Sequence, residues 1–330
     1  MEPSTAKENA GPNQNDELKP DHRPRRWLRI LKRVVISLVI ILIILVYGVF
    51  PYWFAVQVTN ARTRSSDLRF TETPADYGAQ FRDVQFTTSD GVRISGWLMP
   101  SGDKHATIIF SHGLFRSRRE LLERAARLWQ LGYGALVYDS RNHGASGPAR
   151  VSLGYNERLD AEAAVRFLRE EIDSSDRIVL FGISMGATAA LLAAAETEEV
   201  AAVISDSSFL TFEDTAAHHV RLFLHLPAFP MANLVRFYVC QRADFDGSKL
   251  NALDAVRRLG ERPAMFIAAA HDARMPPEIA RKLYEASASH KRDLLIVDGP
   301  ESDIHGHAFQ SDKETYINRV AQFLESALQE

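Results

Sequence analysis

The sequence has very little cysteine and no excess of basic charge. Cys240 is the only cysteine among 330 residues, which excludes an internal disulfide framework and a cysteine-based metal cluster, since both need several thiols. Lys and Arg number 39 against 42 Asp and Glu, for a formal net charge of −3. Binding to the phosphate backbone of nucleic acid depends on clustered Lys and Arg. We therefore expect no nucleic-acid partner.

Other absences concern cofactors and compartment. The sequence has no Gly-rich phosphate loop and no dinucleotide-binding fingerprint, so no nucleotide cofactor is expected. It also lacks the H-E-x-x-H spacing of many zinc sites, and a site built from Asp303, His305 and His307 is disfavoured, so no metal is predicted. No N-x-[ST] glycosylation signal marks a eukaryotic lumenal domain, although a bacterial periplasmic or extracellular face remains compatible.

The N-terminal region contains a long apolar run. Residues 34–61 include no charged side chain, and about 20 apolar residues are enough to cross a hydrocarbon core of roughly 30 Å. We predict a disordered cytoplasmic tail over 1–27, a transmembrane helix over 28–56 and a linker over 57–79. A cleaved signal peptide is the alternative. The apolar core of a signal peptide is typically about 7–15 residues long and is followed by a small-residue cleavage site, whereas this run is longer and no such site follows it.

Basic residues around this helix predict its orientation. Six lie between residues 23 and 33, just before the uncharged run, and Arg62, Arg64 and Arg69 follow the run. The positive-inside bias places the N-terminus in the cytoplasm and the residues beyond about 60 on the non-cytoplasmic face. The reversed orientation is the alternative. In either case the lipid bilayer is an expected partner through the N-terminal helix.

From about residue 80 the sequence alternates short β-rich runs with longer helical runs. This alternation is typical of a parallel sheet covered by helices. We predict an α/β domain over 80–330 with a mostly parallel eight-stranded sheet and helices on both faces. A strand-free stretch at about 209–261, interrupted by Pro227 and Pro230, is predicted to be a small helical cap. Its aromatic side chains suit an acyl pocket or ordinary packing on the core.

A nucleophile motif follows one of the predicted strands. Gly182-Ile183-Ser184-Met185-Gly186 fits G-x-S-x-G between a strand and a helix. This context presents a serine hydroxyl on a strained turn, and glycines leave room for the backbone to turn sharply. Ser184 is therefore the candidate nucleophile.

A serine hydroxyl needs a base and an orienting acid, which follow it in the order Asp, His in this topology. Asp272 comes directly after a predicted strand, although a surface helix cap before Pro276 is an alternative role. Two histidines occupy the loop before the last helix. We prefer His307 as the base because it lies nearer the helix, with His305 as the alternative base.

The negative charge that develops on the substrate oxygen needs two backbone N–H donors. We predict Met185, directly after the nucleophile, and Leu114, in the loop that follows the strand ending at Ser111. His112 in the same loop is expected to hold the loop by hydrogen bonding.

Four motifs occur in a diagnostic order. They are SHG at Ser111–Gly113, DSRNHGAS at Asp139–Ser146, GISMG at Gly182–Gly186 and DARMP at Asp272–Pro276. With them, residues 80–328 resemble the α/β-hydrolase superfamily, in particular its serine aminopeptidase-like, lysophospholipase-like branch. The resemblance implies Ser184 as nucleophile, Asp272 as acid and His307 as base. The sequence departs from the pattern at Asn142, where glycine is usual, and at Ala269 and Ala270, near which the family has a glycine.

The predicted function is that of a membrane-anchored serine hydrolase. It would cleave a carboxylic ester, thioester or amide through an acyl-enzyme intermediate, without a cofactor. A helix in the bilayer makes lipid-like acyl substrates attractive, and small-molecule esters remain open. The alternatives are a peptidase and a catalytically inactive hydrolase-like binding module at the membrane.

Overall fold

The computed structural model describes residues 24–171 and 176–329. Most of the predicted tail over 1–27 lies outside these residues, and its last four residues are helical. The chain forms helix α1 (Pro24–Ile43), a π-helical segment (Ile44–Val49) and helix α2 (Phe50–Thr59). Within this run, Arg26–Thr59 is the one described helix long and apolar enough to cross a membrane by itself.

The large side chains of this apolar helix point outward. Most of the aliphatic residues between Trp27 and Val49 are about half exposed, and only 6% of the most apolar window of the helix is buried within the protein. A helix that is apolar all round is suited to a membrane or a deep core, and this one is not in a core. A signal sequence near an N-terminus has the same composition, so composition alone does not distinguish an anchor from a signal.

A second compact unit begins at Tyr47 and contains one eight-stranded sheet. The sheet order is β1-β2-β4-β3-β5-β6-β7-β8, with antiparallel β1–β2 and β2–β4 pairs and parallel pairs elsewhere. The predicted mostly parallel sheet is confirmed. The strands are β1 (Arg82–Thr87), β2 (Arg93–Met99), β3 (Ala106–Ser111), β4 (Gly134–Asp139), β5 (Arg177–Ile183), β6 (Val200–Asp206), β7 (Ala264–Ala269) and β8 (Arg292–Val297).

Helices cover the sheet, and several of its strands are buried along their whole length. Every residue of β3, β4 and β7 is buried, as expected for strands covered on both faces. The helices are α3 (Leu122–Gln130), α4 (Arg158–Glu171), α5 (Met185–Glu196), α6 (Phe212–Leu224), α7 (Ala228–Ala243), α8 (Ala252–Arg258), α9 (Pro277–Ala286), α10 (Ala308–Ser311) and α11 (Lys313–Leu328).

The cap predicted over 209–261 is helical. Its two longer helices, α6 and α7, meet at an angle of 119°. Thr211 caps α6 by accepting the N–H of Asp214, and Pro227 stands directly before α7. A proline cannot continue a helix from the preceding turn, which explains why the apolar stretch folds into a bent pair.

Residues 47–79 belong to the same compact unit as the sheet. Helix α2 packs on α7, where the Tyr52 and Tyr238 rings meet edge to face at 5.5 Å. The segment after α2, predicted as part of a linker, is hydrogen-bonded to the domain at Thr59, Thr63 and Arg64. These contacts join residues 59–64, upstream of the predicted boundary at residue 80, to the unit that contains the sheet.

Candidate active site

Ser184 lies on a sharp turn between β5 and α5. Its φ of 53° and ψ of −115° form a backbone conformation that non-glycine residues rarely adopt. The flanking glycines make the turn possible. A Cβ atom on Gly182 would lie 2.1 Å from the Gly186 carbonyl oxygen, and one on Gly186 would lie 2.0 Å from the Ser111 carbonyl oxygen. The turn therefore requires glycine at both positions.

Three side chains from three loops meet at this turn. His305 Nε2 lies 2.8 Å from Ser184 Oγ, and His305 Nδ1 lies 2.6 Å from Asp272 Oδ2. Asp272 follows β7, and His305 lies in the loop between β8 and α10. The imidazole thus connects the hydroxyl to the carboxylate in the geometry that a nucleophile, base and orienting acid need.

Asp272 is held ionised by its neighbours. Burial alone would raise the pKa of this carboxyl group, but the hydrogen bond and charge of His305 and the N–H groups of Met275 and Arg274 lower it below its usual value. Those two N–H groups donate to Asp272 Oδ1 at 3.0 and 2.8 Å. One carboxylate oxygen is fixed by the backbone, which leaves the other free to orient His305.

The position of His307 corrects the preference for this residue as the base. Its Nδ1 lies 2.7 Å from Glu301 Oε2, in a half-exposed pair, whereas His305 occupies the position between Ser184 and Asp272. The reason is a left-handed turn at Gly306, with φ of 77°. A Cβ atom on Gly306 would lie 3.4 Å from the Ile183 side chain, so the turn brings the preceding residue, not the following one, to the nucleophile.

Met185 and Leu114, the two predicted oxyanion donors, pack in the same small cluster. Met185 is the first residue of α5 and is fully buried. Leu114 and Phe115 pack against a small cluster of Met185, Ala61 and Val151. The backbone of Gly113, directly before Leu114, is close to the serine, because a Cβ atom on Gly113 would lie 3.7 Å from Ser184 Cβ.

Two buried histidines hold the loop that contains Leu114. His112 Nδ1 donates to the Gly113 carbonyl oxygen at 2.7 Å, and its Nε2 accepts the Ser140 N–H at 2.9 Å. His143 Nε2 accepts the Phe115 N–H at 3.2 Å. Burial lowers the pKa of His143 to about 3, so its ring is neutral at physiological pH and able to accept. The hydrogen-bonding role expected for His112 is confirmed.

Sequence reasoning missed one buried cation behind the histidine loop. Arg124 of α3 is 1% exposed. One guanidinium nitrogen lies 3.3 Å from the Gly306 carbonyl oxygen, and the group stacks 4.5 Å from the centre of the Phe309 ring. Arg124 occurs in an ordinary amphipathic helix pattern, so nothing in the local sequence distinguishes it from a solvated arginine.

Comparison with known proteins identifies hydrolases that this chain resembles. The family model "Serine aminopeptidase, S33" matches residues 102–237. An esterase from Pyrococcus furiosus, Pf2001, superposes with a TM-score of 0.64 at 27% identity, covering 78% of this chain and 96% of the esterase. The chain has the α/β-hydrolase fold and is similar in sequence to proteins with this fold.

Two further proteins are similar to this chain in sequence. The uncharacterized protein YqkD of Bacillus subtilis (strain 168) is 28% identical over 238 residues, which are 72% of this chain and 76% of YqkD. The α/β-hydrolase domain-containing protein WAV2 of Arabidopsis thaliana is 28% identical over 264 residues, which are 77% of this chain and 81% of WAV2. The similarity thus covers most of each protein.

Proposed function

We propose that this α/β-hydrolase is a serine hydrolase that cleaves a carboxylic ester, thioester or amide through an acyl-enzyme intermediate. The observation that supports it is the continuous contact from Ser184 through His305 to Asp272. A strained serine, an imidazole and a buried carboxylate in this order are the arrangement in which the imidazole takes the serine proton and the carboxylate stabilises the imidazolium.

The proposed reaction uses these groups in two steps. Ser184 Oγ attacks the substrate carbonyl carbon while His305 Nε2 takes the hydroxyl proton, and Asp272 stabilises the imidazolium. The N–H groups of Met185 and Leu114 stabilise the oxyanion. The leaving group departs with the proton from His305. Water then attacks the acyl-enzyme, with His305 again as base, and releases the acid and the free serine.

Ester-like substrates are favoured within this class. The superposition on an esterase at 27% identity covers most of both chains, and the cap exposes large aromatic side chains. Phe223, Phe229 and Phe237 are 56%, 76% and 58% exposed, and apolar surface of this kind suits a lipid-like acyl substrate. The serine aminopeptidase family match makes amide cleavage the second candidate.

The decisive test is labelling with a fluorophosphonate, which reacts with activated serines. Wild-type protein should be modified at one position, mapped to Ser184 by mass spectrometry, and Ser184→Ala should not be labelled. Ser208→Ala, which changes a different buried serine, is the matched control and should label normally. Folded wild-type protein that is not labelled would favour the inactive binding module.

A substrate screen then separates the two candidate reactions. p-Nitrophenyl esters of increasing chain length and aminoacyl p-nitroanilides are compared at equal titrated enzyme. We expect turnover of the esters to exceed that of the anilides. The opposite result would assign the protein as a peptidase.

We also propose that the apolar helix anchors the enzyme in a membrane, with the N-terminus in the cytoplasm and the hydrolase domain on the other face. Leu28–Val49 at about 1.5 Å per residue extends about 33 Å, which is enough to cross the hydrocarbon core. Protease added to intact right-side-out vesicles should digest the hydrolase domain. Protection of the domain would reverse the orientation, and release by carbonate washing would exclude the anchor.

A further inference from the structure

The segment that follows the apolar helix runs along the proposed oxyanion loop. We call residues 59–67 the juxtamembrane segment and residues 113–117 the oxyanion loop. The Thr63 hydroxyl donates to the Arg116 carbonyl oxygen at 2.8 Å and accepts the Gly144 N–H at 2.8 Å. One hydroxyl therefore connects the juxtamembrane segment to the oxyanion loop and to the loop after β4.

Arg64 makes the next contact with the oxyanion loop. Its N–H donates to the Phe115 carbonyl oxygen at 2.9 Å, and its guanidinium lies over the Phe115 ring at 4.8 Å. Phe115 has a φ of 66°, a left-handed conformation that is strained for a residue with a side chain. His143 accepts the Phe115 N–H. The N–H of this strained residue is therefore bound by His143, and its carbonyl oxygen is bound by the Arg64 N–H.

The far end of the oxyanion loop is held by a buried carboxylate. Asp67 accepts the Ser117 hydroxyl hydrogen bond at 2.6 Å and lies 3.5 Å from the Arg116 guanidinium. Asp67 and Ser117 are 3% and 1% exposed. A buried carboxylate is costly unless it is hydrogen-bonded, so this pairing fixes the register of the two segments.

The near end of the juxtamembrane segment packs under the proposed donors. Ala61 is 2% exposed and shares a cluster with Met185, against which Leu114 packs. The Ala61 carbonyl oxygen accepts the Asn142 side-chain amide at 2.8 Å. Asn142 occupies a position where glycine is usual in the α/β-hydrolase pattern, so the residue that departs from the pattern is the one that makes this hydrogen bond.

The juxtamembrane segment is also joined to the cap. Arg242 of α7 donates to the Thr59 hydroxyl at 3.0 Å and lies over the Tyr52 ring of α2 at 5.5 Å. The Thr59 carbonyl oxygen accepts the Val151 N–H at 3.0 Å. The segment is thus held at both ends by the enzyme domain.

We propose that the juxtamembrane segment positions the oxyanion loop, so that Thr63 and Arg64 are positioning residues for the hydrolysis proposed above. The oxyanion loop has one internal backbone hydrogen bond, from the Arg116 N–H to the Gly113 carbonyl oxygen at 3.3 Å. Small displacements of a donor weaken its contribution to the transition state. The segment would hold the Leu114 N–H at the reacting carbonyl. This inference rests on the proposed function and concerns residues outside the four sequence motifs.

The test compares full-length variants in detergent micelles. Thr63→Val removes the hydroxyl at constant size, and Arg64→Ala removes the guanidinium, with Arg64→Lys as the conservative variant. Arg62→Ala is the matched control, because Arg62 is exposed and no side-chain contact is found for it within the described residues. Active sites are titrated with fluorophosphonate, and kcat and KM are measured with p-nitrophenyl butyrate.

A transition-state analogue separates positioning from simple stability. A trifluoromethyl ketone adds to the serine and places an oxyanion in the donor site. Thr63→Val should lower kcat per titrated site by about 10-fold, a fraction of the 10²–10³-fold cost of removing a donor, with KM nearly unchanged. Affinity for the ketone should fall by the same factor. Arg64→Ala should show a smaller loss that Arg64→Lys partly restores, and Arg62→Ala should match wild type.

The outcomes separate this inference from the function on which it rests. If Thr63→Val and Arg64→Ala keep wild-type kcat per titrated site and wild-type ketone affinity, the segment is only structural and the inference is overturned. The inference is also overturned if these two variants differ from wild type only in having fewer titratable sites. Wild-type protein with no labelling at Ser184 would instead overturn the proposed function and this inference with it.

Discussion

The two sides of Ser184 are built from different kinds of contact. On the acid–base side, Asp272 and His305 meet through their side chains at 2.6 Å. On the oxyanion side, the important groups are peptide N–H and C=O groups, such as those of Phe115, which are held by His143 and by the juxtamembrane segment. Side-chain chemistry depends on residue type, whereas the direction of a peptide group depends on what surrounds it.

This difference also affects how many residues each side requires. The acid–base side depends on two polar side chains with Arg124 behind the loop. The oxyanion side depends on a set of hydrogen bonds from several separate segments of the chain. We therefore expect a single substitution on the acid–base side to remove most of the catalytic rate, and one on the oxyanion side to lower the rate only in part.

The largest expected effect separates the two histidines of the acid–base side. His305→Ala should lower kcat by on the order of 10⁴-fold or more, because the base that accepts the Ser184 proton is removed. His307→Ala, the matched control, should stay within a few-fold of wild type, since its pair with Glu301 is half-exposed and such pairs contribute little. Steady-state kinetics on a p-nitrophenyl ester checks both. Equal losses in the two variants would contradict the assignment of His305.

The next effect tests the buried ion pair that supports the oxyanion side. Asp139 accepts two hydrogen bonds from the Arg118 guanidinium, at 2.8 and 3.0 Å. Burial would raise the pKa of Asp139, but the Arg118 charge and hydrogen bond lower it. Asp139→Asn leaves a buried cation unpaired and should lower the free energy of unfolding by about 3 kcal/mol, measured by urea denaturation.

The exposed pair of Asp254 and Arg258 provides the control for this prediction. Asp254→Asn should change the free energy of unfolding by less than about 1 kcal/mol, because both side chains are about half exposed. Since the native pKa of Asp139 is depressed, its contribution is present above the unfolded value of about 3.9 and is lost as the pH falls through the native pKa. A loss in Asp139→Asn no larger than the control would contradict the proposed role of the buried pair.

A smaller effect tests the neutral state of His143. Its native pKa of about 3 lies below the unfolded value of about 6.5, so the unfolded chain binds a proton first as the pH falls. The contribution of neutral His143 to the free energy of unfolding is complete above the unfolded pKa. It should fall by about 1 kcal/mol between pH 7 and 5.5. His143→Gln should remove this part of the pH dependence of unfolding, whereas the exposed His290→Gln should retain it. An identical pH dependence in the two variants would contradict the neutral assignment.

The smallest expected effect lies outside both sides of the site. Phe229 of the cap is 76% exposed, and Phe229→Ser should raise KM for long-chain p-nitrophenyl esters a few-fold without changing kcat on the acetate. Phe70→Ser, at a 51% exposed phenylalanine outside the cap, is the control. A change of kcat on the acetate would mean that the cap acts on the reaction itself and not on acyl binding.

Much of the fold was predictable because its signals are local. The apolar runs Ala106–Ser111 and Arg177–Phe181 indicate buried strands by composition alone, and the structure has strands at Ala106–Ser111 and Arg177–Ile183. The glycines of the nucleophile turn are recognisable from the G-x-S-x-G spacing alone, although Gly186 is also required by its close approach to Ser111 of β3. Pro227 marks the bend between the two cap helices for the same reason.

The local sequence could not decide between His305 and His307 as the base. Both flank Gly306, and proximity to the following helix pointed to His307. His305 reaches Ser184 because the chain makes a left-handed turn at Gly306, close to Ile183, and His307 pairs with Glu301 instead. These depend on how the loop after β8 packs against the end of β5.

The sequence by itself determined the strand pattern, the apolar helix, the bent cap and the residue types of the candidate triad, because each follows from backbone preference, hydrophobic periodicity or side-chain chemistry. Only the tertiary structure decided which histidine faces Ser184, that Arg124 lies buried behind its loop, and that residues 59–67 bind the oxyanion loop. The physical reason is that these features consist of hydrogen bonds between segments distant in sequence, many of them to backbone groups that every residue possesses.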